Sequence, residues 1–271
     1  MERRSNFIVI LVLFFVHFSF GITLAVLSSG KPVEEYKRYK PLTTYLSDEL
    51  GKPVNLIIVG QVSKLLEMYD DHKIDISITC PIVYFELKEK GNIDAVAVVK
   101  INGQIMESGV IVVREDSNIK TIQDLKDKRV TLGSSICASN CVMPLYVLSK
   151  EGITYEDIPG LWSSGSDKAA ILAVIAGLAD AAGVKEDSAK EYLGKGIKIL
   201  TKSPYVPRYV VNLSKDLPED EFNRIKKILF QLNDKEILKK VGIDGFVEPP
   251  SGLLDILKGY KSILKRYPML Q

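Results

Sequence analysis

Gly133-Ser-Ser-Ile-Cys137-Ala-Ser-Asn-Cys141-Val-Met-Pro144 is followed further along by Gly165-Ser-Asp-Lys-Ala-Ala-Ile-Leu-Ala-Val-Ile-Ala-Gly-Leu-Ala-Asp180-Ala-Ala-Gly183. The first stretch comes directly after a short apolar strand at 130–132 and leads into a helix. Backbone N–H groups left free at such a strand-to-helix loop, together with the helix dipole, favour negative charge. The second stretch reads as a helix closing at Gly177 and a short strand from about Asp180.

Working outward, strand and helix patterns alternate. Buried-strand patterns fall at 22–27, 54–59, 74–78, 93–99 and 108–114, and helices at 33–50, 62–69 and 81–90. Gly51 and Gly91 stop two of those helices, and Pro81 suits a first helical turn. After the loop come a helix at 141–150, strands at 179–182 and 197–200, and an extended return at 205–213. Helices with Lys/Glu faces follow at 218–232 and 235–241, and a last one at 253–264. The alternation predicts an α/β fold with mainly parallel pairing.

The loop and the helix after it resemble the phosphate/phosphite/phosphonate-binding proteins of ABC transporters. That family has Ser-Thr-Ser-Gly a few residues before a Pro. Counting back from Pro144, those positions are Cys137, Ala138, Ser139 and Asn140. Its downstream Gly-x-His-Asp-Ala motif places Asp167 where the family has His. Pro41-Leu42, Tyr45-Leu46, Leu50-Gly51, Pro81 and Tyr84 match its first half. The resemblance implies a two-lobe, type II periplasmic-binding-protein fold with the ligand in a cleft between lobes. Residues 22–105 plus 210–271 would form lobe 1 and 106–209 lobe 2. The crossovers would lie near 102–113 and 203–211. It further implies a monomeric, non-catalytic protein without a cofactor, which captures a small-molecule oxyanion and hands it to an ABC permease. The alternative partner is a sensor kinase.

Composition narrows the classes. The chain has 271 residues, with 36 Lys+Arg against 34 Asp+Glu, so no basic excess points to nucleic acid. No Walker loop, and no Gly-x-Gly-x-x-Gly after a strand, supports nucleotide binding. Arg3 and Arg4 before an apolar run at 7–20 read as a signal peptide spanning 1–21, with Ser19 and Gly21 at the cleavage point. The expected location is therefore periplasmic. His17 leaves with that leader, and the remaining His72 reads as a solvated helix-end residue. Zinc sites built from several His are excluded, and no general base pairs with a Cys for nucleophilic catalysis.

The ligand-contact positions depart from the family pattern. The expected ligand-binding set is Tyr84, Cys80, Ser135, Cys137, Ala138, Ser139, Asn140, Asp167 and Arg208. Cys137 and Ala138 replace hydroxyl positions, which disfavours a tetrahedral dianion. Cys80, Cys137 and Cys141 all fall on cleft segments, and three thiols without His suit a soft, thiophilic ligand such as arsenite, which some relatives of the family sense. The competing reading is a local Cys137–Cys141 disulfide with Cys80 as a small buried apolar residue. Asp167 reads either as an N-cap or as a cleft carboxylate, and Arg208 either as a source of positive potential or as solvated. Trp162, Tyr36 and Tyr39 are aromatic walls or ordinary packing.

Overall fold

The computed structural model describes residues 21–28, 31–90, 92–135, 137–252, 254–260, 262–263 and 266–267. Residues 1–20 of the expected leader lie outside the described residues, as do parts of the helix expected at 253–264. Among the described residues no helix is long and apolar enough to cross a membrane.

The chain starts with β1 (Ile22–Leu27), α1 (Pro32–Leu50), β2 (Val54–Val59), α2 (Val62–Asp70), β3 (Ile76–Thr79), α3 (Pro81–Lys90) and β4 (Ile93–Lys100). β1 and β3 are almost continuously buried, as strands covered on both faces must be. α1 has Pro32 at its start and ends at Gly51, whose φ of 69° lets its N–H reach the Ser47 carbonyl. After β4 the chain crosses into β5 (Met106–Arg114), β6 (Arg129–Leu132), α4 (Met143–Lys150), β7 (Gly160–Ser163), α5 (Asp167–Ile175), β8 (Ala181–Lys185), α6 (Glu186–Lys190) and β9 (Ile197–Pro207). It then returns through β10 (Val210–Ser214), α7 (Glu219–Gln231), α8 (Lys235–Val241) and β11 (Gly245–Val247).

Two sheets result, with strand orders β11-β4-β10-β3-β1-β2 and β7-β6-β8-β5-β9. The chain passes between them at 101–105 and 208–209. These two crossings are tied together, because the Arg208 N–H donates to the Ile105 carbonyl at 2.9 Å. The expectation of mainly parallel pairing is corrected. β1 pairs in parallel with β2 and β3, and β6 with β7 and β8, but β10 runs antiparallel to β3 and β4. β5 is likewise antiparallel to β8 and β9. Each strand that carries the chain into or out of a lobe enters against its neighbours. The expected return at 205–213 is broken at Arg208-Tyr209, which separates β9 from β10.

One apolar cluster belongs to the first sheet and its helices, with Leu42, Leu46, Ile225 and Phe246 in it. A second belongs to the second sheet, with Val110, Ile171, Val174 and Val184. The third spans both, joining Cys80, Val83 and Tyr84 to Cys137, Ala138, Val142 and Met143. The segments after β3 and after β6 therefore pack against each other between the sheets.

Candidate functional site

Cys80 follows the last residue of β3 and precedes Pro81, the first residue of α3. It thus lies off the carboxyl end of a central strand, where open α/β sheets place their ligands. Across from it, β6 ends at Leu132, and Cys137, in extended backbone, stands just before the next helical turn. The helix expected at 141–150 begins earlier and differently. Ala138–Val142 form one π-helical turn, which feeds α4 at Met143 with Pro144 in its first turn. Such turns recur at functional sites. Close packing seats this turn. A Cβ on Gly109 of β5 would overlap the Ser139 carbonyl, and one on Gly183 of β8 would come 2.7 Å from the Pro144 Cβ.

The Ala138 N–H, at the head of the turn, donates to the Cys80 sulfur at 2.9 Å. Ala138 directly follows Cys137, so this bond places the Cys80 sulfur beside Cys137 in one buried cluster, and the Cys137 sulfur lies 3.9 Å from the Tyr209 hydroxyl. A thiol from each lobe therefore meets the other at the loop expected to hold an anion. The two titrate as a pair. The hydrogen bond from Cys80 pulls the Cys137 thiol below its ordinary pKa despite burial, and Lys185 helps. Burial, and then the charge on Cys137, push the Cys80 thiol well up.

Three residues that the sequence reading missed complete this centre. Lys185, the last residue of β8, keeps its side chain 19 % exposed, with Nζ 3.4 Å from Glu107 Oε1 and 4.7 Å over the Tyr209 ring. Burial lowers its pKa, but Glu107, Tyr209, Cys137 and Asp167 outweigh burial and hold the ammonium well above its ordinary value. The charge of Cys137 in turn pushes the Tyr209 phenol up. A buried strand ending in a lysine at its carboxyl end was a readable signal. The partnership of Glu107 with it was not, since Glu107 sits in a different strand.

The other expected residues divide. Tyr84 is almost fully buried in the same cluster and stacks edge-on with Phe85 at 5.2 Å. Ser135 is half-buried. Ser139 spends its hydroxyl on Glu107 at 2.5 Å. Arg208 is buried and neither solvated nor a free positive charge. Its Nη1 donates to Glu107 at 2.9 Å and its Nη2 to Asp187 at 2.8 Å. Asn140 donates to Asp167 Oδ1 at 2.7 Å, and Asp167 Oδ2 accepts from Ser188 at 2.8 Å. The capping role expected of Asp167 belongs to Ser166, whose Oγ accepts from the Ala169 N–H. Asp167 is the first helical residue, and its carboxylate ties the π turn to α6.

The three-thiol set is also corrected. Cys141 is completely buried and its thiol is pushed far up by burial, while no disulfide joins it to Cys137. Among the described residues no group of three or more His, Cys, Asp or Glu side chains is placed to hold a metal ion. His72 is exposed and pairs with Asp216 at 2.6 Å. Tyr39 is buried core, Trp162 packs against the second lobe's cluster, and Tyr36 is exposed.

The family model for the periplasmic phosphonate substrate-binding protein of ABC transporters matches residues 24–251. The chain belongs to that family. Its members are periplasmic substrate-binding proteins rather than enzymes. Solved structures share the fold. A Xanthomonas citri protein with ATP bound superposes with a TM-score of 0.80 at 16 % identity, covering 92 % of this chain and 98 % of that one. A binding-protein component of an ABC phosphonate transporter from Pseudomonas aeruginosa gives 0.77 at 15 %, over 93 % and 89 %. PhnD1 of Prochlorococcus marinus in complex with methylphosphonate gives 0.76 at 19 %, over 92 % and 98 %. At these identities the likeness is one of fold, and this phosphonate-family chain is a type II periplasmic binding protein in architecture.

Proposed function

We propose that this protein captures a small thiophilic ligand between its lobes for delivery to an ABC permease, and that trivalent arsenic is the ligand class its site suits best. The observation that carries this reading is the meeting of Cys80 and Cys137, one from each lobe, at the head of the family's phosphate loop. A neutral arsenous acid can condense with both thiols. Two As–S bonds form, two As–OH bonds break, and the thiol protons leave as two waters. The lobes are then bridged through arsenic, which couples capture to closure. The Ala138 N–H and the Tyr209 hydroxyl already face the sulfurs and support their negative character.

A tetrahedral dianion fits this site less well. Of the loop positions that carry hydroxyls in the family, only Ser139 keeps one, and it is bonded to Glu107. Each missing bond to a charged group costs about 1.5–3 kcal/mol, or roughly tenfold or more in affinity. The Asp167 carboxylate adds repulsion. Titration calorimetry under a thiol-free reductant tests the reading. Arsenite should bind, and Cys80→Ser or Cys137→Ser should abolish it, while Cys141→Ser should not. Tight methylphosphonate or phosphite binding that survives those substitutions would return the chain to ordinary phosphonate capture.

A further inference from the structure

We infer that Cys80 and Cys137 are also a dithiol/disulfide redox pair, whose oxidised form staples the two lobes together and shuts the ligand site. This regulation acts on the site proposed above, but the staple itself depends only on where the two sulfurs lie.

Cys80, off the end of β3, accepts from the Ala138 N–H at 2.9 Å, which seats its sulfur at the head of the π turn beside Cys137, in one buried cluster that spans both lobes. Both residues are at least 95 % buried, at 5 % and 4 % exposure, so the lobes must part before an outside reagent reaches either. The family is periplasmic, and disulfides persist in such oxidising compartments. The pair is divided into an attacking and a resolving thiol. Lys185 and the hydrogen bond from Cys80 favour a thiolate on Cys137, whereas Cys80 keeps its proton. Cys141 is fully buried and disfavoured as a thiolate, so it does not compete.

The chemistry balances with a small disulfide RSSR as the oxidant. In the open protein the Cys137 thiolate attacks one sulfur of RSSR, forming a mixed disulfide and expelling RS⁻, which takes up a proton. On closure Cys80 gives up its proton and attacks the Cys137 sulfur, expelling the second thiol. Two protein thiols are oxidised and one RSSR is reduced to two RSH. A bond between Cys80 and Cys137 leaves no thiol for a thiophilic ligand and holds the cleft closed against any other.

The full chain is incubated with oxidised glutathione, quenched in acid, digested and mapped by mass spectrometry. Wild type and Cys141→Ser should both yield a Cys80–Cys137 linked peptide that dithiothreitol dissolves. Cys80→Ser should stop at a glutathione adduct on Cys137. Unreacted thiols, a Cys137–Cys141 link, or adducts in wild type that never resolve into the Cys80–Cys137 link would each overturn the inference. Peptide mapping involves no ligand, so failure of arsenite binding leaves this test standing. In the wild type, oxidation should abolish uptake of any ligand that the reduced protein binds. Full binding by protein shown to be linked would refute the shutting of the site.

Discussion

Arg208→Met removes the cation that neutralises a buried carboxylate beside the lobe crossings. Arg208 and Glu107 have side chains 7 % and 9 % exposed and meet at 2.9 Å. Breaking a buried pair from one side leaves the other charge uncompensated, at a cost of about 3–5 kcal/mol. Here the lower end applies, because the Lys185 ammonium and the Ser139 hydroxyl still face Glu107. Asp187 also loses its partner, but it is 43 % exposed and water screens it. A loss of about 3 kcal/mol lowers the melting temperature of a chain this size by roughly 6–12 °C. Differential scanning calorimetry at neutral pH reads that shift. If the single variant melts within a degree or two of wild type, Glu107 is not the buried charge that Arg208 holds.

Lys185→Met should move the pH midpoint of Cys137 alkylation upward, since it removes a positive charge that favours the thiolate, and Lys185→Arg should largely restore it. An unchanged pH profile for Lys185→Met would separate Lys185 from Cys137. Glu186 is held down at about 2 by Lys202 and Ser108. Its stabilisation is therefore complete above its ordinary value near 4.5 and is lost as pH falls toward 2, so Glu186→Gln should flatten the stability-versus-pH curve in that window.

Much of the fold was legible because it is written locally. The Gly51 cap, the apolar β1 and the β3-Cys80-Pro81 junction each follow from residues within a turn of one another. Strand direction was not legible. β5 and β10 look like any buried strand, and only the passage of the chain between lobes makes them antiparallel. β7, β11 and α6 were missed because each is only a few residues long and is held by its neighbours. The site was half legible. Cys80, Cys137 and Ala138 were expected on cleft segments from their positions, and they pack into one buried cluster. The four-residue spacing of Cys137 and Cys141 suggested a local pair. The π turn, set by packing on Gly109 and Gly183, instead goes with a Cys137 that meets Cys80. Glu107, Lys185 and Tyr209 come from three separate segments, and nothing in their neighbouring sequence announces that they converge.

In the proposed mode of capture the ligand is held by sulfur from both lobes. X-ray absorption at the arsenic edge of the reduced, arsenite-loaded protein tests it most directly. Two sulfur scatterers per arsenic are expected in wild type and in Cys141→Ser, with the signal lost in Cys80→Ser and Cys137→Ser. An arsenic surrounded by oxygen alone, or sulfur ligation that persists without Cys80, would contradict it.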